Sequence, residues 1–199
     1  MKNKIIILSG DPNSINSEII FKAWRKLNNS VKKKIFLLAN FDLFKHQLKI
    51  LNYKLKLHKV KNLDDKTIGN SLKIIDIDIN YKLPFKVHKK DASKFIKNSL
   101  NLAHNLALNN KNVIGIINCA IDKNLLGKKK IGVTEYLARK CKVKDNSEAM
   151  LVMNKNLSVC PITTHIDISQ ISQKINPQII KKKVNSINKW FKKKYRKKP

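Results

Sequence analysis

Short apolar runs alternate with segments of helical period along most of this chain. That alternation restricts it to folds in which strands and helices follow one another. Residues 4–9 (KIIILS) end at Gly10 and predict a buried strand. Ile19, Ile20, Ala23, Trp24 and Leu27 then repeat at helical spacing, with Asn16 or Ser17 as the N-cap. Residues 34–40 predict a second strand, 41–51 a helix, and 53–60 and 72–79 two alternating strands around a polar loop. A long helix over 94–109 places Phe95, Leu102 and Leu106 on one face, capped by Asp91 or Ser93. The apolar content of residues 112–120 (NVIGIINCA) predicts a central, buried strand. Another helix begins in GVTEYLARKC, and residues 148–154 and 157–165 predict two strands around an NKN turn. The order is that of an α/β protein whose largely parallel sheet is covered by helices.

The last segment decides how the charge should be read. Ile180, Val184, Ile187 and Phe191 form an apolar stripe, with Pro177 near the first turn, so residues 178–197 predict an amphipathic helix with Lys on its wet face. The chain carries a net charge of +30, which invites a polyanion. That charge comes from 40 Lys and only 3 Arg, alongside 24 Asn and abundant Ile. Lys, Asn and Ile share A/T-rich codons, and Arg is the residue suited to bidentate phosphate and guanine contacts. A solvated lysine coat therefore ranks ahead of a nucleic-acid surface.

Cys119, Cys141 and Cys160 are widely spaced and form neither a CxxC pair nor a disulfide framework, which fits a reducing compartment. Only four consecutive strongly apolar residues occur near the start, too few for a secretory signal or a membrane span. The expectation is a soluble, cytoplasmic protein.

Three segments could carry chemistry. Residues 10–18 (GDPNSINSE) join the first strand to the first helix, at the sheet end where ligands bind in open α/β folds. They are neither a G-x-G-x-x-G fingerprint nor a P-loop, and an ordinary turn explains them equally well. Asp122, Lys123, Thr134 and Glu135 lie in or beside the loop after residues 112–120. Lys123 can pair with an anionic substrate, and Thr134 at a helix start can bind phosphate; a charged surface loop with Thr134 as N-cap is the plainer account. His165 ends an apolar strand and could be a metal ligand, a general base or a capped structural residue, while His46, His58, His88 and His104 lack a constellation around them.

Taken in order and spacing, these segments resemble the 4-hydroxythreonine-4-phosphate dehydrogenase family of pyridoxal phosphate biosynthesis. The matching residues are Gly10, Asp11, Pro12, Ile15 and Glu18 in the opening loop; Ala92–Ser93; the weaker NCAIDK from Asn118 to Lys123; GVTEYLA from Gly132 to Ala138; and Thr163, Thr164 and His165. The resemblance implies a three-layer α/β/α fold like that of isocitrate and isopropylmalate dehydrogenases. It implies NAD-dependent oxidation and decarboxylation of 4-phosphooxy-threonine, assisted by a divalent metal (zinc, magnesium, manganese or cobalt). It makes His165 one of three metal-binding histidines and Thr134 a substrate-binding residue, and it places Asp122 and Lys123 in an active-site loop. It also implies a homodimer for the complete protein.

The sequence departs from the family pattern at three points. Val133 stands where the family usually has His, so one substrate contact is lost or supplied from elsewhere. Ser14 and Asn16 stand where the opening loop has glycines. The family's second half, with the other metal histidines, a substrate Lys and most of the NAD site, has no counterpart in residues 1–199. The expectation is thus the amino-terminal portion of a two-domain dehydrogenase, truncated and inactive alone. Val133 motivates a second reading, a relative acting on another phosphorylated hydroxy acid; a basic nucleic-acid-binding module is the third.

Overall fold

The computed structural model describes residues 3–65, 70–127, 132–143, 148–163, 166–197 and 199. They form two compact units, Met1–Val133 and Thr134–Pro199.

The first unit is built on five strands: β1 (Lys4–Leu8), β2 (Ile35–Ala39), β3 (Leu57–Val60), β4 (Leu72–Asp76) and β5 (Val113–Asn118). Their order is β3-β4-β2-β1-β5, and every pairing is parallel. β2 lies at the centre and reads IFLLA, with all five residues buried, as a parallel strand covered on both faces should be. The helices are α1 (Asn16–Lys26), the short α2 (Asn29–Lys32), α3 (Phe41–Ile50) and α4 (Lys89–Asn109). Ile20, Phe21 and Trp24 of α1 and Phe44 and Leu48 of α3 pack with Ile35, Leu37, Leu72 and Ile74 on one face of the sheet. α4 contacts β1, β2 and β5, and buries Phe95, Ile96, Leu100 and Ala103. The alternation of side chains puts Ile6, Leu8, Phe36 and Leu38 on that opposite face, and all four are buried. The predicted α/β fold with a mostly parallel sheet is therefore present.

Several local expectations need correction. α1 begins at Asn16, and the residue ahead of it, Ile15, makes no side-chain cap. Asn16 and Ser17 are buried in the first turn, and Asn16 Nδ2 donates to a backbone carbonyl distant in sequence. α4 starts earlier than residue 94: His88 caps it through Nδ1, which accepts from the Lys90 N–H at 3.4 Å, and neither Asp91 nor Ser93 does so. Its buried stripe is Ala92, Phe95, Ile96, Ser99, Leu100 and Ala103, whereas Leu102 and Leu106 are half-buried. Residues 53–56 lie outside β3. The largest change concerns β5, which is an edge strand among the described residues and has no buried residue. Apolar content marks a strand that some neighbour covers, and it does not say whether the neighbour is in the same segment of polypeptide.

The amino-terminal end of the sheet holds two buried lysines. Lys4 pairs with Asp64. Lys73 donates to the Lys33 carbonyl at 2.6 Å, and its ammonium lies 3.8 Å from the Phe36 ring centroid. These contacts offset part of the cost of taking the charges out of water.

The second unit comprises α5 (Val133–Lys140, which starts at the unit boundary), the antiparallel pair β6 (Val152–Met153) and β7 (Ser158–Val159), the short α6 (Ile171–Lys174) and α7 (Pro177–Tyr195). The two strands are shorter than predicted, but the turn between them is where expected: Asn154 N–H donates to the Leu157 carbonyl at 2.9 Å. α7 starts where its sequence pattern puts it, but the predicted stripe is not its buried face: Ile180 and Val184 are exposed, Ile187 and Phe191 are half-buried, and the residue it buries is Lys183. Asn176 caps it by accepting from Ile179 N–H at 2.9 Å, and Pro177 occupies the first turn, where it loses no hydrogen bond. Ile187 and Trp190 of α7 border an apolar groove also lined by Val143, Leu151 and Met153. Lys183 is buried against this unit and donates to the Glu148 carbonyl at 2.6 Å. No described helix is long and apolar enough to cross a membrane.

Candidate active site

The carboxyl ends of β1, β2 and β5 bring together loops that are distant in sequence. Gly10 leaves β1 with φ +74°, and a Cβ there would lie 2.5 Å from both the Ala120 carbonyl oxygen and Asn16 Nδ2. Only glycine fits this left-handed, crowded position. The Ala120 carbonyl accepts from Asp11 N–H at 3.0 Å and from Asn16 Nδ2 at 2.8 Å, so it ties the opening loop to the loop after β5. On its other side, Asn13 forms a two-bond clasp with the Val87 backbone: Nδ2 donates to the carbonyl at 2.9 Å and Oδ1 accepts from the N–H at 2.8 Å. Gln47 of α3 donates to the Pro12 carbonyl at 2.7 Å.

These bonds explain how the loop holds its shape without internal glycines. Neither Ser14 nor Asn16 has a positive φ. Ser14 Oγ instead donates to the Asp11 carbonyl at 2.7 Å, and Asp11 Oδ1 accepts from Asn13 N–H at 2.9 Å, closing a local turn. Sequence reasoning does not single out Asn13 or Gln47. Their partners lie 74 and 35 residues away, and no local pattern announces such contacts.

A cavity of about 10 Å³ lies under the loop, bordered by Ser9, Pro12, Asn16, Ser17, Gln47 and Phe95 among others. It is large enough for one water at most, far below the size of a phosphorylated substrate. Asn16 Oδ1 and Ser17 Oγ are buried without a hydrogen-bond partner among the described residues.

Asp122 has a structural task. Its Oδ1 accepts from Asn124 N–H at 2.9 Å and from Asn124 Nδ2 at 3.0 Å, capping a 3-10 turn over Lys123–Leu125. Asp122 and Lys123 are exposed, and Leu125 and Leu126 anchor the turn in the core. Ser93 Oγ donates to the Leu125 carbonyl at 2.6 Å, which ties the start of α4 to the same loop. Cys119, beside this loop, is half-buried, and burial pushes its thiol pKa up; that favours the protonated, unreactive form.

Val133 opens α5 half-buried, and Thr134 follows it exposed in the first turn, with Glu135 next. Thr164 and His165 lie outside the described residues. Among the described residues, no group of three or more His, Cys, Asp and Glu could hold a metal ion. The donors present thus do not make a metal site by themselves. Of the other histidines, His88 caps α4, His46 Nδ1 lies 2.8 Å from Tyr81 OH, and His104 Nε2 is buried without a hydrogen-bond partner among the described residues.

Comparison with known proteins bears on the whole chain. The profile of the family described as pyridoxal phosphate biosynthetic protein PdxA matches residues 30–199, which leaves the opening loop outside that match. A 4-hydroxythreonine-4-phosphate dehydrogenase of a Sulfurihydrogenibium species is 29% identical over 198 residues, covering 96% of this chain and 59% of its own length. One from Wigglesworthia glossinidia brevipalpis is 30% identical over 201 residues, covering 96% and 58% respectively. The crystal structure of the Klebsiella pneumoniae 4-hydroxythreonine-4-phosphate dehydrogenase superposes with a TM-score of 0.82 at 22% identity, over 96% of this chain and 59% of that one. At that identity it speaks for the fold. The chain spans about three-fifths of the length of the curated relatives it matches.

Proposed function

The chain belongs to the family of the pyridoxal phosphate biosynthetic protein PdxA, and from that premise we propose that it is the amino-terminal portion of a 4-hydroxythreonine-4-phosphate dehydrogenase. The observation that carries this reading is the match of nearly the whole chain, at 29% and 30% identity, to two relatives that both bear that name. The reaction class is oxidation of the secondary hydroxyl of 4-phosphooxy-threonine with loss of its carboxylate. In this reading the complete protein is a cytoplasmic homodimer.

The residues of this chain bind and orient. Thr134, exposed in the first turn of α5, offers its hydroxyl to the substrate phosphate, where backbone N–H groups and the helix dipole also favour an anion. Lys123 presents an ammonium from the loop after β5, beside Asp122. His165 is assigned as one ligand of a divalent metal. NAD and that metal need further donors, which this reading assigns to the portion of the family's length that the chain does not span.

The test is an assay of NAD reduction by 4-phosphooxy-threonine. It uses the chain alone and the chain joined to the remaining two-fifths of the Sulfurihydrogenibium relative. The joined protein should turn over and the 199-residue chain should not. Thr134→Ala in the joined protein should lower kcat/KM about 10- to 100-fold, the cost of one hydrogen bond to a charged group. No turnover by the joined protein, or full activity with Thr134→Ala, would count against the assignment.

Val133 favours a second reading. Its side chain can neither donate nor accept where the family has His. A four-carbon sugar acid phosphate is the alternative substrate class, and a higher kcat/KM for it than for 4-phosphooxy-threonine would select it.

A further inference from the structure

A groove of about 850 Å³ lies between α3 and the segment that follows it. The chain makes it by turning sharply at Asn52, which has φ +56°. The Asn52 N–H donates to the Lys49 carbonyl at 3.1 Å, and the Tyr53 N–H donates to the Leu48 carbonyl at 2.8 Å. This left-handed cap closes the helix, and residues 53–57 then line the groove together with α3. Tyr53 fixes that second wall: its ring is stacked on Phe21 with centroids 4.2 Å apart, and its OH donates to Glu18 Oε1 at 3.2 Å.

The walls carry one sign of charge. Lys45 and Lys49 lie one turn apart on α3. Lys54 and Lys56 are exposed and alternate with the half-buried Tyr53, Leu55 and Leu57. No Asp, Glu or Arg is among the lining residues, and none of the four lysines forms an ion pair among the described residues. Glu18 is already engaged by Lys22 at 2.6 Å. Leu48, Leu55 and Leu57 supply an apolar floor. A solvated lysine coat needs neither a concave shape nor such a floor, whereas binding sites combine both with a few charged groups.

We propose that this groove docks an acidic peptide segment of a partner protein, with apolar residues between its carboxylates. The two lysines of each wall stand about 6 Å apart along their element, so the four match several carboxylates spread along one segment. Lys serves carboxylates as a flexible point charge, without the bidentate geometry that Arg imposes. A nucleic acid fits less well, because its bases seek free aromatic platforms. Here Tyr53 is stacked on Phe21 and His46 packs edge-on against Tyr81.

Fluorescence anisotropy on the 199-residue chain at about 0.15 M salt tests this with two labelled peptides of equal charge. One has glutamates interrupted by leucines at helical spacing, and the other has serines in place of the leucines. The leucine peptide should bind about 10-fold more tightly, because apolar burial adds to charge. Lys49→Glu with Lys54→Glu should weaken it about 10-fold or more. Lys111→Glu with Lys181→Glu, at exposed positions outside the groove, should change it less than about 2-fold. Thermal unfolding midpoints confirm that both double variants fold. Equal affinity of the two peptides, or equal effects of the two double variants, would reveal an undirected lysine coat and overturn the inference. No saturable binding of the leucine peptide would overturn it as well. So would a single-stranded oligonucleotide of the same charge that binds more tightly than the leucine peptide, which would make this a nucleic-acid surface. The measurement requires no turnover, so its outcome is separate from that of the dehydrogenase reading.

Discussion

Asn16 Nδ2 donates to the Ala120 carbonyl at 2.8 Å, joining two loops that lie 104 residues apart in sequence. The bond fixes the opening loop against the end of β5, and Gly10 makes the approach close enough to form it.

Gly10→Ala should destabilise the first unit by about 1–3 kcal/mol, from the left-handed backbone and the clash with Ala120 and Asn16 together. Asn16→Ala should cost about 1 kcal/mol, because Asp11 N–H still satisfies the Ala120 carbonyl. Urea unfolding midpoints would rank the two. An Asn16→Ala variant as damaged as Gly10→Ala would mean that the Asn16 amide holds the loop single-handed.

Leu37 and Ile117 are both apolar strand residues, yet they should respond very unequally to truncation. Leu37 in β2 is fully buried, so Leu37→Ala should cost about 2–5 kcal/mol. Ile117→Ala in the 199-residue chain should change stability by less than about 0.5 kcal/mol. Thermal unfolding of the two variants checks this, and equal losses would contradict the edge position of β5.

Lys73 should leave a trace in the pH dependence of stability. Burial lowers its pKa below the ordinary 10.5, with the Lys4 charge adding to the effect. Between the lowered value and 10.5 the unfolded chain binds more protons than the folded one, so this group makes stability rise with pH across that window. Lys73→Met removes the linkage. The difference between wild-type and variant urea midpoints should shift in favour of wild type as pH rises towards about 10; parallel profiles would show that Lys73 ionises as it does in water.

Asp122 separates a structural from a chemical role. Asp122→Ala should cost about 1 kcal/mol through loss of the cap, while Asp122→Asn keeps the acceptor and should be close to neutral. In the joined protein, a fall in kcat for Asp122→Asn at unchanged stability would show that the carboxylate charge serves the reaction as well.

Much of the fold is legible in the order of residues. The apolar runs at Lys4–Leu8, Ile35–Ala39 and Leu72–Asp76, and the start of α7 at Pro177, each carry their information within a few residues. The candidate site is legible only in part. Gly10, Asp122 and Thr134 lie on loops and helix starts that periodicity places. The clasp of Asn13 on Val87 and the bond from Gln47 to Pro12 are not visible there, because each joins residues that come together only when the sheet forms.

By itself the sequence determined the alternation of strand and helix, and through motifs such as GVTEYLA the family, since periodicity, caps and short motifs are local. Tertiary structure alone decided that Asn16 ties two loops rather than capping a helix, and that β5 lies at an edge among the described residues. The physical reason is the range of the interactions. Side-chain period is set by the residue's own backbone, whereas the neighbour of a strand and the partner of a buried amide are set by chain folded back from far away.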